Sequence, residues 1–130
     1  MPREIIVPAG FPPPLAPYSP AVKVGNAVHV SGMVALDATG SLVGPGDCSA
    51  QTRHVLELIR SILQQAGASL ADIAYNHICL KSLDDYAAMN AVYKEYFPSK
   101  PPARYCIRAD LVRPDFLVEI GSVAYIGSAT

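Results

Sequence analysis

Two charged side chains stand where strand-forming runs should be apolar. Arg104 is the second residue of ARYCIRADL, and Glu119 falls in the middle of FLVEIGSVAYI. Burying either one without a partner is costly, so each marks an ion pair, a solvated edge or a site. With a side-chain period of two, Arg104, Cys106 and Arg108 share one strand face, and Ala103, Tyr105 and Ile107 share the other. Glu119 shares its face with Leu117, Gly121, Val123 and Tyr125, and Gly121 leaves room beside it for a ligand or a water.

Other polar residues stand out less sharply. Asn90 falls inside an aromatic stripe made by Tyr86, Tyr93 and Phe97 at helical spacing. An amide there must find a hydrogen bond, either to a backbone carbonyl or to a ligand. Tyr18 is held between Pro17 and Pro20 and could cap the core. Ser31-Gly32 follows the run AVHV and could be a plain exit from a strand. Cys106 is the one thiol flanked by cations, which could lower its pKa. No histidine on its strand could serve as its base, so attack by sulfur has little support.

Several chemistries are disfavoured. His29, His54 and His77 lack metal-ligand spacing, and the three cysteines, Cys48, Cys79 and Cys106, form neither a CxxC nor a Cys/His cluster. His54 reads as a solvated or interface residue of a helix. G-x-S-x-G is absent, and GPG lacks the lysine of a phosphate loop. No metal and no cofactor is implied.

The elements that must carry these residues follow from periodicity. EIIV suits an edge strand, and six of the 12 prolines fall in PAGFPPPLAPYSP, a stiff extended segment. Gly25-Asn26 inside AVKVGNAVHVSGMVAL predicts a hairpin, and DATGSLVGPGD is a glycine-rich turn region. A helix is expected from Ser49 to about Ala66, with Val55, Leu58, Ile59, Ile62, Leu63 and Ala66 as its stripe and Gly67 as its stop. IAYNHICL reads as a strand. A second helix is expected over about 83–96, with Ser82 and Asp85 as a capping box and Pro98 beyond its end. ARYCIRADL and FLVEIGSVAYI close the chain as strands. This order predicts an α/β (α+β) two-layer fold, a mixed sheet with two helices on one face, in a single domain over 1–130. The bare face then calls for oligomerisation.

Composition sets the outer limits. The chain of 130 residues is 51% hydrophobic and 16% charged, with 10 basic residues against 11 acidic ones. A net charge of −1 without a basic stripe gives nucleic acid no electrostatic footing. MPREIIVPAG is too charged and too broken by proline for a signal peptide, and no run approaches a membrane span. Unpaired thiols suit a reducing compartment, and a cytoplasmic location is expected.

Taken together, APYSP, VSGM, MNAVYKEYFP, PPARYCI and LVEIGSVA make the chain resemble the Rid/YjgF family of enamine and imine deaminases over nearly its whole length. AQTRHVLELIRSIL, YFPSKPPARYCI and LVRPDFLVEI resemble its RutC branch, which handles 3-aminoacrylate in uracil breakdown. The resemblance implies a chorismate-mutase-like fold, a homotrimeric barrel and active sites at the subunit interfaces. It implies a deaminase that hydrolyses 3-aminoacrylate, with 2-aminoacrylate, 2-aminomuconate or a non-enzymatic ligand-binding or chaperone-like trimer as alternatives. By resemblance Arg104 grips the substrate carboxylate, as a planar fork can and lysine cannot. Glu119 would activate water. Tyr18, Ser31, Gly32, Asn90 and Cys106 would line the substrate site, Cys106 through packing or backbone. An RNase role is sometimes attached to the family, but the charge balance and the missing histidine pair argue against it here.

Overall fold

The structure, a computed structural model, describes residues 1–129. Six strands make one mixed sheet: β1 (Arg3–Ile6), β2 (Ala21–Val24), β3 (Ala27–Met33), β4 (Ile73–Leu80), β5 (Ala103–Arg108) and β6 (Val118–Tyr125), in the order β1-β2-β3-β6-β4-β5. Only β4 and β5 run parallel. Parallel neighbours need a long crossover, and helix α2 (Tyr86–Tyr96) supplies it. Helix α1 (Cys48–Gln65) links β3 to β4, so the last strand slots between the two.

The expected hairpin forms at Gly25, whose φ of 59° suits the first central position of a type II′ turn. Helix α1 begins on Asp47, whose side chain accepts from Ala50 N. It ends in a Schellman motif: Gly67 N donates to Gln64 O and Ala68 N to Leu63 O, with Gly67 at φ 86°. Its stripe differs from the expected one at one position. Leu56 is fully buried under the sheet, while Leu58 is only partly buried and faces the proline segment.

The second helix starts differently from expectation. Leu83–Asp85 is a 3₁₀ turn, Ser82 Oγ accepts from Asp84 N, and Asp85 makes no capping bond. The expected capping box of Ser82 with Asp85 therefore does not form, because the tighter first turn brings Asp84 into reach instead. A true capping box closes between Ser69 and Asp72, ahead of β4. His54 is likewise no free surface residue: its Nε2 lies 2.7 Å from Leu36 O and ties α1 to the chain after β3.

Strand alternation divides the residues between two environments. Val118, Ile120, Ser122 and Ala124 of β6 and Asn76, Ile78 and Leu80 of β4 lie under the helices and are buried. The opposite face carries Tyr75, His77, Tyr105, Ile107, Val123 and Tyr125, with His77 ringed by Tyr75 at 4.8 Å and Tyr105 at 5.0 Å. No helix among the described residues covers this face: Tyr105, Ile107 and Tyr125 remain 42–48% exposed. No described helix is long and apolar enough to cross a membrane.

Candidate active site

Arg104 sits on edge strand β5, level with Asn76 of β4, and so points into the helix layer. There its Nη2 donates to Asn90 Oδ1 at 2.8 Å and to Tyr86 Oη at 3.3 Å. The guanidinium also lies 4.8 Å from the centroid of the Tyr93 ring. These partners come from successive turns of α2, which is why the aromatic stripe contained an asparagine. Among the described residues no carboxylate pairs with Arg104, so a structural ion pair there does not account for it. Both hydrogen bonds leave from one nitrogen, and the Nη1 and Nε donors are not taken up by Asn90 or Tyr86. An open cleft of about 410 Å³ lies beside them, floored by Phe97, Pro98 and Pro102.

Glu119 points the other way. It lies level with Cys79 of β4, on the face without helices, above a cleft of about 360 Å³ that Tyr18, Ser31, Gly32 and Val112 also line. Its carboxylate has no hydrogen-bond or ion-pair partner among the described residues. Burial alone pushes its pKa up from the ordinary carboxylate value.

The backbone explains how room is made for it. The β3–β6 register shifts between Val30 and Met33, so Ser31-Gly32 is a bulge inside the strand rather than an exit from it. A Cβ on Gly32 would come within 2.5 Å of Glu119 Oε2, so the missing side chain is what admits the carboxylate. Ser31 N donates to Pro20 O and Ser31 Oγ to Ser19 O at 2.6 Å. The proline segment is thereby pinned to the bulge, and Tyr18, 42% exposed, is set at the mouth of the cleft.

Cys106 follows Arg104 on the same face and packs against the core. Burial raises its thiol pKa and the Arg104 charge only partly opposes that, so the cations do not make it a reactive thiolate. No three His, Cys, Asp or Glu side chains among the described residues gather where they could hold a metal.

The seven candidates thus fall into two clusters. Arg104, Asn90 and Cys106 form one on the helix side of the sheet; Glu119, Tyr18, Ser31 and Gly32 form the other on the open side. Within one chain the two do not meet. Sequence reading passed over Asn76 and Ser122, polar residues behind Arg104, and took Tyr93 only as part of an aromatic stripe. The signal was present, since Asn76 shares its period-two face with Ile78 and Leu80, and Ser122 with Ile120 and Ala124.

Known proteins share this fold. The family model described as Endoribonuclease L-PSP matches residues 10–126. The chain is 57% identical over 126 residues to the 3-aminoacrylate deaminase RutC of Acinetobacter baylyi, covering 97% of this chain and 100% of that protein. RidA from the Antarctic bacterium Psychrobacter sp. superposes with a TM-score of 0.88 at 34% identity, over 95% of this chain and 99% of that one. TdcF of E. coli, solved with bound serine, gives a TM-score of 0.86 at 31% identity, over 94% and 98% of the two chains.

Proposed function

Because the chain belongs to the Endoribonuclease L-PSP family, the Rid/YjgF proteins, we propose that it is a deaminase hydrolysing 3-aminoacrylate to malonic semialdehyde and ammonia. The relative sharing 57% of its residues carries that activity in its name. The observation that carries the reading is Glu119: a half-buried carboxylate without a partner, its pKa raised, over a cleft that a glycine bulge keeps open. A carboxylate gains nothing structural there, while a proton shuttle needs a pKa brought closer to neutrality.

The chemistry then runs as follows. Arg104 holds the substrate carboxylate. A proton from solvent added to C2 of the enamine converts it to an iminium ion whose C3 is electrophilic. Glu119 accepts a proton from a water as its oxygen bonds to C3, giving a carbinolamine. Return of that proton to nitrogen lets the C–N bond break, releasing ammonia, and loss of the hydroxyl proton to solvent, which balances the one taken up at C2, leaves the aldehyde. The reaction also proceeds in water, so positioning, one charge clamp and one proton shuttle suffice.

For Arg104 and Glu119 to act together, the two clusters must come from two copies of the chain. The proposed assembly is a homotrimer in which the three open sheet faces close a barrel and the helix-side cleft of one subunit meets the Glu119 cleft of the next. The exposed Tyr105, Ile107 and Tyr125 support it, since a monomer gains nothing from an apolar face of that extent. The single domain over 1–130 would act in pyrimidine breakdown in the cytoplasm, a compartment that suits its three unpaired cysteines.

The direct test is ammonia release from 3-aminoacrylate generated in situ, with 2-aminoacrylate and 2-aminomuconate in parallel. Acceleration of 3-aminoacrylate hydrolysis above the spontaneous rate is expected. A faster reaction with either rival alone would reassign the substrate, and no acceleration with any of the three would leave a ligand-binding trimer.

A further inference from the structure

A buried polar chain stands behind the guanidinium. Ser122 donates its hydroxyl to Asn76 Oδ1 at 2.6 Å, and Asn76 Nδ2 donates to Tyr93 Oη at 2.9 Å. Asn76 is 0% exposed and Ser122 2%, on β4 and β6 faces otherwise made of Ile78 and Leu80 and of Val118, Ile120 and Ala124. Apolar residues of the same shape would serve stability equally well, so the core alone gives no reason for these polar groups. The chain ends on Tyr93, and the face of the Tyr93 ring is what the Arg104 guanidinium lies on. Asn90 bonds one nitrogen of the fork and so fixes a point; the ring beneath fixes its plane. A phenol free to swing would leave that plane undefined.

We propose that Asn76 and Ser122 are positioning residues of the carboxylate clamp: by anchoring the Tyr93 hydroxyl at the centre of the sheet, they hold the ring that orients Arg104. This rests on the reading of Arg104 as the clamp. The benefit is pre-organisation. An arginine already ordered by Asn90 and Tyr93 loses less side-chain freedom when a carboxylate arrives. Burial raises the Tyr93 pKa against the opposing effects of Asn76 and Arg104, so the phenol keeps its proton beside the cation.

Two variants test it. Asn76→Leu removes the amide at similar volume, and Tyr93→Phe removes only the hydroxyl and keeps the ring, which covers the case that the first does not fold. For each, KM, kcat and the dissociation constant of L-serine, measured by calorimetry, are compared in the wild-type and Arg104→Lys backgrounds. With Arg104 present, KM and the L-serine constant should both rise about tenfold while kcat stays within about threefold. In the Arg104→Lys background the same changes should have no further effect on binding, because they act through the guanidinium. Equal losses in both backgrounds would mean general core damage, and unchanged binding with Arg104 present would mean the anchor is idle; either overturns the inference. Wild-type binding and turnover in Arg104→Lys alone would remove the clamp itself, a failure visible before Asn76 or Tyr93 is touched, and the inference would fall with it.

Discussion

At the scale of single residues, the two charges invite opposite experiments. Arg104→Lys keeps the charge but loses the fork, so carboxylate binding and deamination should fall by about 10- to 150-fold, the equivalent of a charge-assisted pair of roughly 1.5–3 kcal/mol. An ammonia-release assay near wild-type level would return Arg104 to a structural role. Glu119→Gln should bind carboxylate ligands as before yet lose about 10²–10⁴ in turnover. It should also melt higher at neutral pH. The pKa of Glu119 is raised on folding, so the folded chain holds that proton more tightly than the unfolded one. The corresponding stability is complete below the unfolded pKa and is lost as pH rises through the folded pKa. Above that window the ionised carboxylate is a burden that glutamine removes. A pH series of melting curves in which the two proteins converge at low pH and separate above it would bear this out; parallel curves would not. Cys106→Ser should stay active, since its thiol has a raised pKa and no base.

At the scale of elements, the bulge in β3 and the face of α2 do the placing. Gly32→Ala leaves the fold little disturbed, because the contact it creates is with the tip of a side chain. It should nonetheless displace the Glu119 carboxylate and cost about 10²-fold in turnover, as misplacements near 1 Å do, with little change in melting temperature. Unaltered turnover would show that Glu119 works from another rotamer. Both helices and all six strands were legible in the sequence, because period-two and period-3.6 patterns are local and Gly25 and Gly67 punctuate them clearly. The start of α2 was not, because Asp84 and Asp85 both follow Ser82 and only the pitch of the first turn decides which of them it caps. The slotting of β6 between β3 and β4 was not legible either, since strand neighbours are set by packing across the chain. The bulge at Ser31-Gly32 was hidden for the same reason. Arg104 and Glu119 could be found because a charge in an apolar run violates a local rule; their separation onto two faces of the sheet emerges only from the pairing of β4, β5 and β6.

At the scale of the molecule, the proposed assembly predicts a trimer with shared sites. Light scattering should give about three times the 13.8 kDa chain mass, and a monomer would remove both the barrel and the shared site. Subunit mixing is sharper. Arg104→Lys and Glu119→Gln, each impaired alone, should regain activity when their subunits are exchanged, because some interfaces then join an intact Arg104 to an intact Glu119. If one chain supplied both residues, no mixture could recover. The alternation of β6 has a further consequence, for changes of length. Ser122 and Glu119 are three positions apart and so face opposite sides, one bonded to Asn76 and the other over the cleft. Deleting Ile120 or inserting a residue beside it would bring both to the same side, and the two roles would survive together only if the rest of the strand were re-lettered to match. Turns such as Asp37–Ser41 carry no such constraint. Among descendants of this chain, β6 should accept changes of letter at positions other than Glu119 and Ser122 more readily than a change of count, and a library of single-residue deletions should show inactivity concentrated in that strand even where neighbouring substitutions are accepted.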